Sequence, residues 1–267
     1  MSKHHFLTPS WTSGASATSN GAATADTDAD KLLQVQTSRK FRSDSDTGIR
    51  ITLDAGSAKP FDTVALIAHN GVSTDTVTIT AHTSTTGLFT TPAFSFGPAS
   101  AVFTGDLSAF IERDIIIPVG GTQTYRYIGI EINAASNPDN YFEAGVVIVG
   151  EDFEPDIGME PGWNIGWNDP SEQQRSLNGE AVVRAKRKYR VGSGNFPKQV
   201  FTDAIRWLTI NMVYGSSIPV LKWWEPPVSG YQQHFVEYSH LQWPSGGALQ
   251  FVNKDGLFDV KVEAEGV

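Results

Sequence analysis

Six histidines, at positions 4, 5, 69, 82, 234 and 240, are the side chains of this sequence best suited to proton transfer or metal ligation near neutral pH. None sits in the H-E-x-x-H spacing that puts two imidazoles on one helix face. His69 and His82 each close a β-branched run, "TVALIAH" (63–69) and "TVTITAH" (76–82), so a hairpin of those strands would make them neighbours. A polar strand end is the simpler reading, in which Asn70-Gly71 makes the exit turn and His69 bonds the turn backbone.

The remaining catalytic chemistries find no footing. With no cysteine there is no thiolate nucleophile, thiolate zinc site or disulfide. There is no G-x-S-x-G, Walker loop or G-x-G-x-x-G. "DTDAD" (26–30) and "RSDSDTG" (42–48) alternate acids like a calcium loop but lack the Glu that completes one, and read as solvated loop acids. No carboxylate pair is singled out for glycoside hydrolysis. The sequence therefore predicts a protein that is not an enzyme and needs no cofactor.

With 20 basic and 29 acidic residues the net charge is −9, which argues against a nucleic-acid partner. No run of about 18 apolar residues suits a membrane span, and the first residues lack the apolar stretch of a signal peptide. The expectation is a protein made in a cytoplasm without membrane insertion. One basic run stands out, "RAKRKYR" (184–190), with Arg184, Lys186, Arg187, Lys188 and Arg190. It is either the exposed side of a strand or an electrostatic contact for an acidic neighbouring subunit. In "LKWWEPP" the consecutive Trp223 and Trp224 point to opposite faces of a strand, so one fills the core and the other is a candidate interface anchor, unless a helix covers both.

These residues need elements to position them. The stretch 12–29 is small and polar, and with it residues 1–29 read as an extended arm. Short runs rich in β-branched residues follow up to residue 150, broken by Gly, Pro, Asn and Asp, and read as strands. "IRITLD" (49–54) and "TVTITAH" alternate as half-solvated strands do, whereas "VALIA" and "VVIV" are apolar on both faces and belong at the centre of a sheet. Many strands without intervening helices predict a β-sandwich or jelly roll over 30–150. Residues 151–178 read as a Gly/Pro/Trp-rich crossing linker, and 179–267 as a smaller β-domain. One helix is expected at about 200–214, with Phe201, Ala204, Ile205, Leu208 and Met212 on its apolar stripe.

"IRITLDAGSAKPFDTVALIAHN", "YRYIGIEI" (125–132), "FEAGVVIVG" (142–150) and "KFRS" (40–43) resemble the strand pattern of discoidin, or coagulation factor 5/8 type C, modules over about residues 30–150. The variant with "ALIAHN" followed by "GEDFEP" is similar to tail-tip and baseplate proteins of long-tailed bacteriophages and phage-like particles. That resemblance implies a mainly β protein, a galactose-binding-like jelly roll joined to the smaller β-domain with its packed helix. It also implies a homo-oligomeric ring or trimer at the tail end of a virion, in contact with other tail or baseplate proteins. In some sugar-binding relatives an early Asp and the Glu of the closing strand hold calcium; Asp30 and Glu143 are the nearest matches, and the supporting turn glycine is missing after Asp30. The leading expectation is a non-enzymatic structural component of such a tail. The alternative is a carbohydrate-binding module that attaches the particle to a host surface glycan.

Overall fold

The computed structural model of the chain describes residues 3–100, 113–159, 164–175, 181–184, 189–214, 217–224, 236–242, 249–251 and 258–266. The first ten strands are β1 (His4–Leu7), β2 (Ser16–Ser19), β3 (Phe41–Arg42), β4 (Ile49–His69), β5 (Thr76–His82), β6 (Phe94–Ser100), β7 (Arg113–Asn133), β8 (Glu143–Ala144), β9 (Val146–Gly150) and β10 (Asp152–Phe153). The rest of the chain holds β11 (Asn164–Asn168), β12 (Glu172–Arg175), β13 (Ala181–Arg184), β14 (Tyr189–Gln199), α1 (Phe201–Val213), β15 (Val220–Trp224), β16 (Val236–Gln242), β17 (Leu249–Phe251) and β18 (Phe258–Gly266). Two compact units result, one of residues 2–154 with 221–236, the other of residues 155–220 with 237–267.

"IRITLD" and "TVALIAH", expected as separate strands, are the two ends of one 21-residue strand, β4. "RDIIIPV" and "YRYIGIEI" are likewise the two ends of β7. Ile49 to Asp54 pair with Ile132 to Tyr127, and Thr63 to Leu66 pair with Pro118 to Ile115, with a register shift between Asp54 and Lys59. Both strands bend at glycines in the left-handed region, Gly56 at φ 76° and Gly120 at φ 81°, where a Cβ would be strained. Asp54 fixes the β4 bend by accepting from the Gly56 N–H at 2.7 Å and from Arg126 Nε and Nη2 at 2.8 and 2.9 Å.

The bend lets each long strand serve two layers. The first part of β4 and the last part of β7 lie in the order β2-β4-β7-β5-β6, and the second part of β4 carries β9. Ile51, Leu53, Ile128 and Ile130 from one layer and Val64, Leu66, Ile115, Ile117, Val147 and Val149 from the other share one buried core. This is a mainly β, two-layer jelly roll, and its central strand is the expected one. Residues 64–68 are buried on both faces. His69 and His82, however, are not neighbours, because β7 lies between β4 and β5.

The predicted arm is instead part of the fold. Phe6, Leu7 and Trp11 are fully buried, β1 pairs with β10 and with β15, and β2 pairs with Asp54 to Ile51 of β4. Trp11 donates its indole N–H to the Tyr125 carbonyl at 3.1 Å and meets Phe61 edge-on. The physical reason is burial: three large apolar side chains in eleven residues outweigh the polar texture that follows them. The expected linker start at 151 is also displaced, since Asp152 and Phe153 form β10 of the first unit.

In the second unit β14 pairs with β11 and β18, β16 and β17 pair with β18, and α1 packs beside them. The helix exists where the periodicity placed it, but it buries another face. Ala204, Trp207 and Ile210 point inward, with Trp207 against Phe196 at 5.0 Å, while Phe201, Ile205, Leu208 and Met212 are exposed. Trp207 carries the largest apolar surface on the helix, so its face wins the core. Asp203 is buried beside it and accepts the Asp156 N–H at 2.9 Å.

Candidate functional site

The Ser-Arg-Lys-Phe-Arg stretch from residue 38 places cations by strand alternation. Phe41 is fully buried in the jelly-roll core, so Lys40 and Arg42 on either side of it face outward together. The β3–β8 pairing sets Arg42 directly opposite Glu143. Glu143 accepts from Lys40 Nζ at 2.8 Å through Oε1 and from Arg42 Nη2 at 2.9 Å through Oε2. The Arg42 guanidinium lies over the Tyr141 ring, 4.3 Å from its centroid. Its hydrogen bond to Glu143 raises the Arg42 pKa, so it stays charged at every physiological pH.

The facing wall is a pair of short 3-10 turns, residues 25–27 and 29–33, anchored by buried Ala29 and Leu32. Thr24 and Thr27 cap the first turn reciprocally, and Asp28 caps the second by accepting the Ala29 N–H at 2.6 Å. Between the walls is an open pocket of about 630 Å³ lined by Asp26, Thr27, Lys31, Ser38, Arg39, Lys40, Arg42 and Glu143. Lys31 pairs with Asp30 at 3.1 Å, and Arg39 donates to the neutral Gln34 amide oxygen at 3.4 Å. Charged groups, hydroxyls and carboxylates thus converge on one concavity whose cations are already held in place.

Glu143 and Asp30, the nearest matches to a calcium pair, do not make a cation site here. Both Glu143 oxygens are taken by cations, and the exposed Asp30 carboxylate is on Lys31. Among the described residues no group of three or more His, Asp or Glu side chains converges as a metal site. A divalent ion at Glu143 would have to displace two salt-bridged side chains.

No family model matches the chain, and no curated protein does either. Solved structures resemble about half of it. One is chitosan-binding module 1 derived from a chitosanase/glucanase of Paenibacillus sp. IK-5, at 14% identity over 50% of this chain and 92% of that one, with a TM-score of 0.36. Another is the family 32 CBM of C. perfringens NanJ in complex with galactose, at 9% identity over 55% and 98%, with a TM-score of 0.36. A third is the lectin domain of lectinolysin complexed with Lewis B antigen, at 12% identity over 52% and 93%, with a TM-score of 0.37. The architecture described above stands on the strand order of this chain itself.

At the other end of the β4 run, His69 is fully buried and its Nδ1 accepts the Gly71 N–H at 3.0 Å, as the turn reading expects. Its ring stacks on Phe142, and burial pushes its pKa down to about 3, with Arg113 and Lys40 adding repulsion. An imidazole that is neutral, buried and committed to a turn is poorly placed as a general base. His82 repeats the device, with Nδ1 accepting the Ser84 N–H at 3.0 Å. Asn70 completes the corner: its amide donates to the Tyr141 carbonyl at 3.1 Å and accepts the Glu143 N–H at 2.9 Å.

The interface candidates scatter. Trp223 is half-buried and stacks flat on His5 at 4.7 Å, while His5 Nδ1 lies 2.7 Å from Asp152 Oδ2; Trp224 stands opposite His4 in the β1–β15 register. Arg184 ends β13 and Arg190 stands opposite Trp167 on β14, whereas Lys186, Arg187 and Lys188 lie outside the described residues. The residues missed by sequence reasoning are Lys31, Arg39, Lys40 and Arg42. The signal for the last three was three cations in four positions of an acidic chain, split by one apolar residue at strand spacing; Lys31 had none.

Proposed function

We propose that the jelly roll is a non-enzymatic carbohydrate-recognition module that attaches the particle or assembly bearing it to a host surface glycan. The observation that carries this reading is the pocket between β3/β8 and the two 3-10 turns. Its volume lies within the range of ligand sites, and its lining offers hydroxyls, carboxylates and fixed cations. Sugar hydroxyls both donate and accept, so Asp26 accepts from them while Arg39 and Ser38 donate. Titration of the full chain with host surface polysaccharides tests it. Binding that weakens in an Arg39→Ala, Ser38→Ala double variant is expected, and failure across host polysaccharides would overturn the reading.

A second reading is a structural part of a phage tail tip or baseplate, at the tail end of a virion, assembled as a ring or trimer with other tail proteins. The exposed side chains of α1 favour it. Phe201, Ile205, Leu208 and Met212 recur at the 4-3-4 spacing of a helix-pairing seam, and Met212 is 81% exposed. A strictly monomeric mass in solution and no density for the chain at the tail end of particles would count against it.

A further inference from the structure

We infer that the jelly roll carries a further saccharide site, for one ring of a neutral sugar, on the outer face of its β4-β7-β5 sheet. An open pocket of about 490 Å³ lies there, lined chiefly by Thr47, Gly48, Thr76, Thr78, Glu131 and Asn133, and it shares no residue with the β3 pocket. Strand register builds it. Glu131 stands opposite Arg50 of β4 on one side and Thr78 of β5 on the other, and Asn133 stands opposite Thr76. The intervening Ile49, Val77, Ile130 and Ile132 are buried, so alternation turns Arg50, Thr76, Thr78, Glu131 and Asn133 to the solvent side together. Neighbouring strands lie about 4.8 Å apart, so a single sugar ring reaches polar groups on two strands at once. The acid-alternating turn of residues 43–48 forms a wall and is held in place. Its Asp46 carbonyl accepts the Ala134 N–H at 2.7 Å, and Asn20 donates to the Gly48 carbonyl and accepts the Arg50 N–H, both at 2.8 Å.

The groups in this pocket have hydrogen bonds left to make. Arg50 Nε and Nη2 both reach Glu131 Oε1, at 2.9 and 2.8 Å, so among the described residues Oε2 keeps no hydrogen bond. The Thr47, Thr76 and Thr78 hydroxyls make none there either, and Asn133 uses only its amide oxygen, on the Ala135 N–H at 3.4 Å. Hydroxyls and an amide donate while a carboxylate accepts, a set that matches sugar hydroxyls, which do both. The ligand is neutral because the described lining holds one carboxylate and no cation, and Asp44 and Asp46 in the adjoining turn add negative charge. Arg50 is itself fixed: its guanidinium lies 5.2 Å from the Phe89 ring centroid. Phe89 in turn lies on the sheet at Gly129, where a Cβ would come within 2.6 Å of the ring. Glu131 is thus oriented before a ligand arrives, which lowers the ordering cost of binding.

The test is an amide-resolved NMR titration of the full chain with methyl β-galactoside, methyl β-glucoside, methyl α-mannoside, galacturonate and glycerol. The signals followed are the Gly48 backbone amide and the Asn133 side-chain amide. At least one neutral glycoside is expected to shift both saturably, about tenfold or more tightly than galacturonate. Thr78→Val keeps the β-branched shape, so the thermal midpoint should hold while affinity falls about fivefold with the loss of one hydrogen bond. The Arg39→Ala, Ser38→Ala double variant should leave these shifts unchanged. No shift at either signal with any neutral glycoside overturns the inference, and shifts confined to residues 38–42 do so while leaving the β3 pocket as the carbohydrate site. Shifts here with none at residues 38–42 uphold the inference and remove the β3 pocket from that role. Galacturonate or glycerol binding as tightly as the glycosides, or parent affinity in Thr78→Val, also overturns it.

Discussion

Arg42 and Glu143 stand opposite one another across the short β3–β8 pair and share a hydrogen-bonded ion pair of 2.9 Å, with Lys40 on the other carboxylate oxygen. The side chains of Glu143 and Lys40 are only 15% and 17% exposed, so this is a partly desolvated triad. Its geometry follows from two things, the alternation of Lys40-Phe41-Arg42 and the register of β8.

Removing the shared carboxylate has a cost that can be measured. Glu143→Gln leaves two cations facing each other without their shared counter-charge, and should destabilise the chain by about 2 kcal/mol. The check is the urea midpoint at neutral pH. A shift equal to that of an exposed control such as Glu151→Gln would mean that the triad contributes nothing.

Stability should fall on the acid side through His69. Its folded pKa of about 3 lies below the ordinary imidazole value, so between pH 6.5 and 3 the unfolded chain binds a proton that the folded chain refuses. The loss reaches up to about 1.4 kcal/mol per pH unit. His4, lowered to about 4 mainly by burial, adds in the same direction. Asp75, raised by burial, acts with the opposite sign because its folded form keeps its proton longer. His69→Gln cannot titrate, so its deficit relative to the parent chain should shrink between about pH 7 and pH 4.5. A deficit that is constant with pH would show that His69 does not carry this dependence.

Trp11 tests whether the first residues are structure or arm. Trp11→Ala empties a fully buried indole site and removes the hydrogen bond to the Tyr125 carbonyl, at a cost of about 3–5 kcal/mol. Deletion of residues 1–29 should accordingly unfold the jelly roll. A truncated chain with unchanged near-UV dichroism and melting midpoint would restore the arm.

The seam of α1 separates fold from assembly. Met212→Asp and Phe201→Asp lie at exposed positions and should change the stability of the isolated chain by no more than about 0.5 kcal/mol. If copies pair through this face, light scattering will record a lower mass for the double variant. Identical masses would remove α1 from the assembly.

Much of the fold was legible because it depends on local pattern. Among the described residues the β-branched runs became strands, the run at 101–105 lying outside them, and the double-faced run 64–68 became the central strand, since burial on both faces requires apolar residues at every position. The helix was legible in position but not in orientation. Its two apolar stripes are both consistent with the 3.6 period, and the competition between Trp207 and Leu208 is decided by what lies beneath. The bends were less legible, because a glycine marks a possible turn without stating whether the strand resumes after it.

The sequence by itself determined a mainly β chain, the places of its central strands and its helix, and a turn at Asn70-Gly71 that claims His69; the strands within residues 1–29 and 151–178 it did not. These are properties of neighbours within a few residues. Only the tertiary structure decided that residues 4–11 close the fold, that β7 separates His69 from His82, and that Glu143 meets Lys40 and Arg42 from about a hundred positions away. Strand order and register join residues distant in sequence, and hydrophobic periodicity carries no information about which strand becomes the neighbour of which.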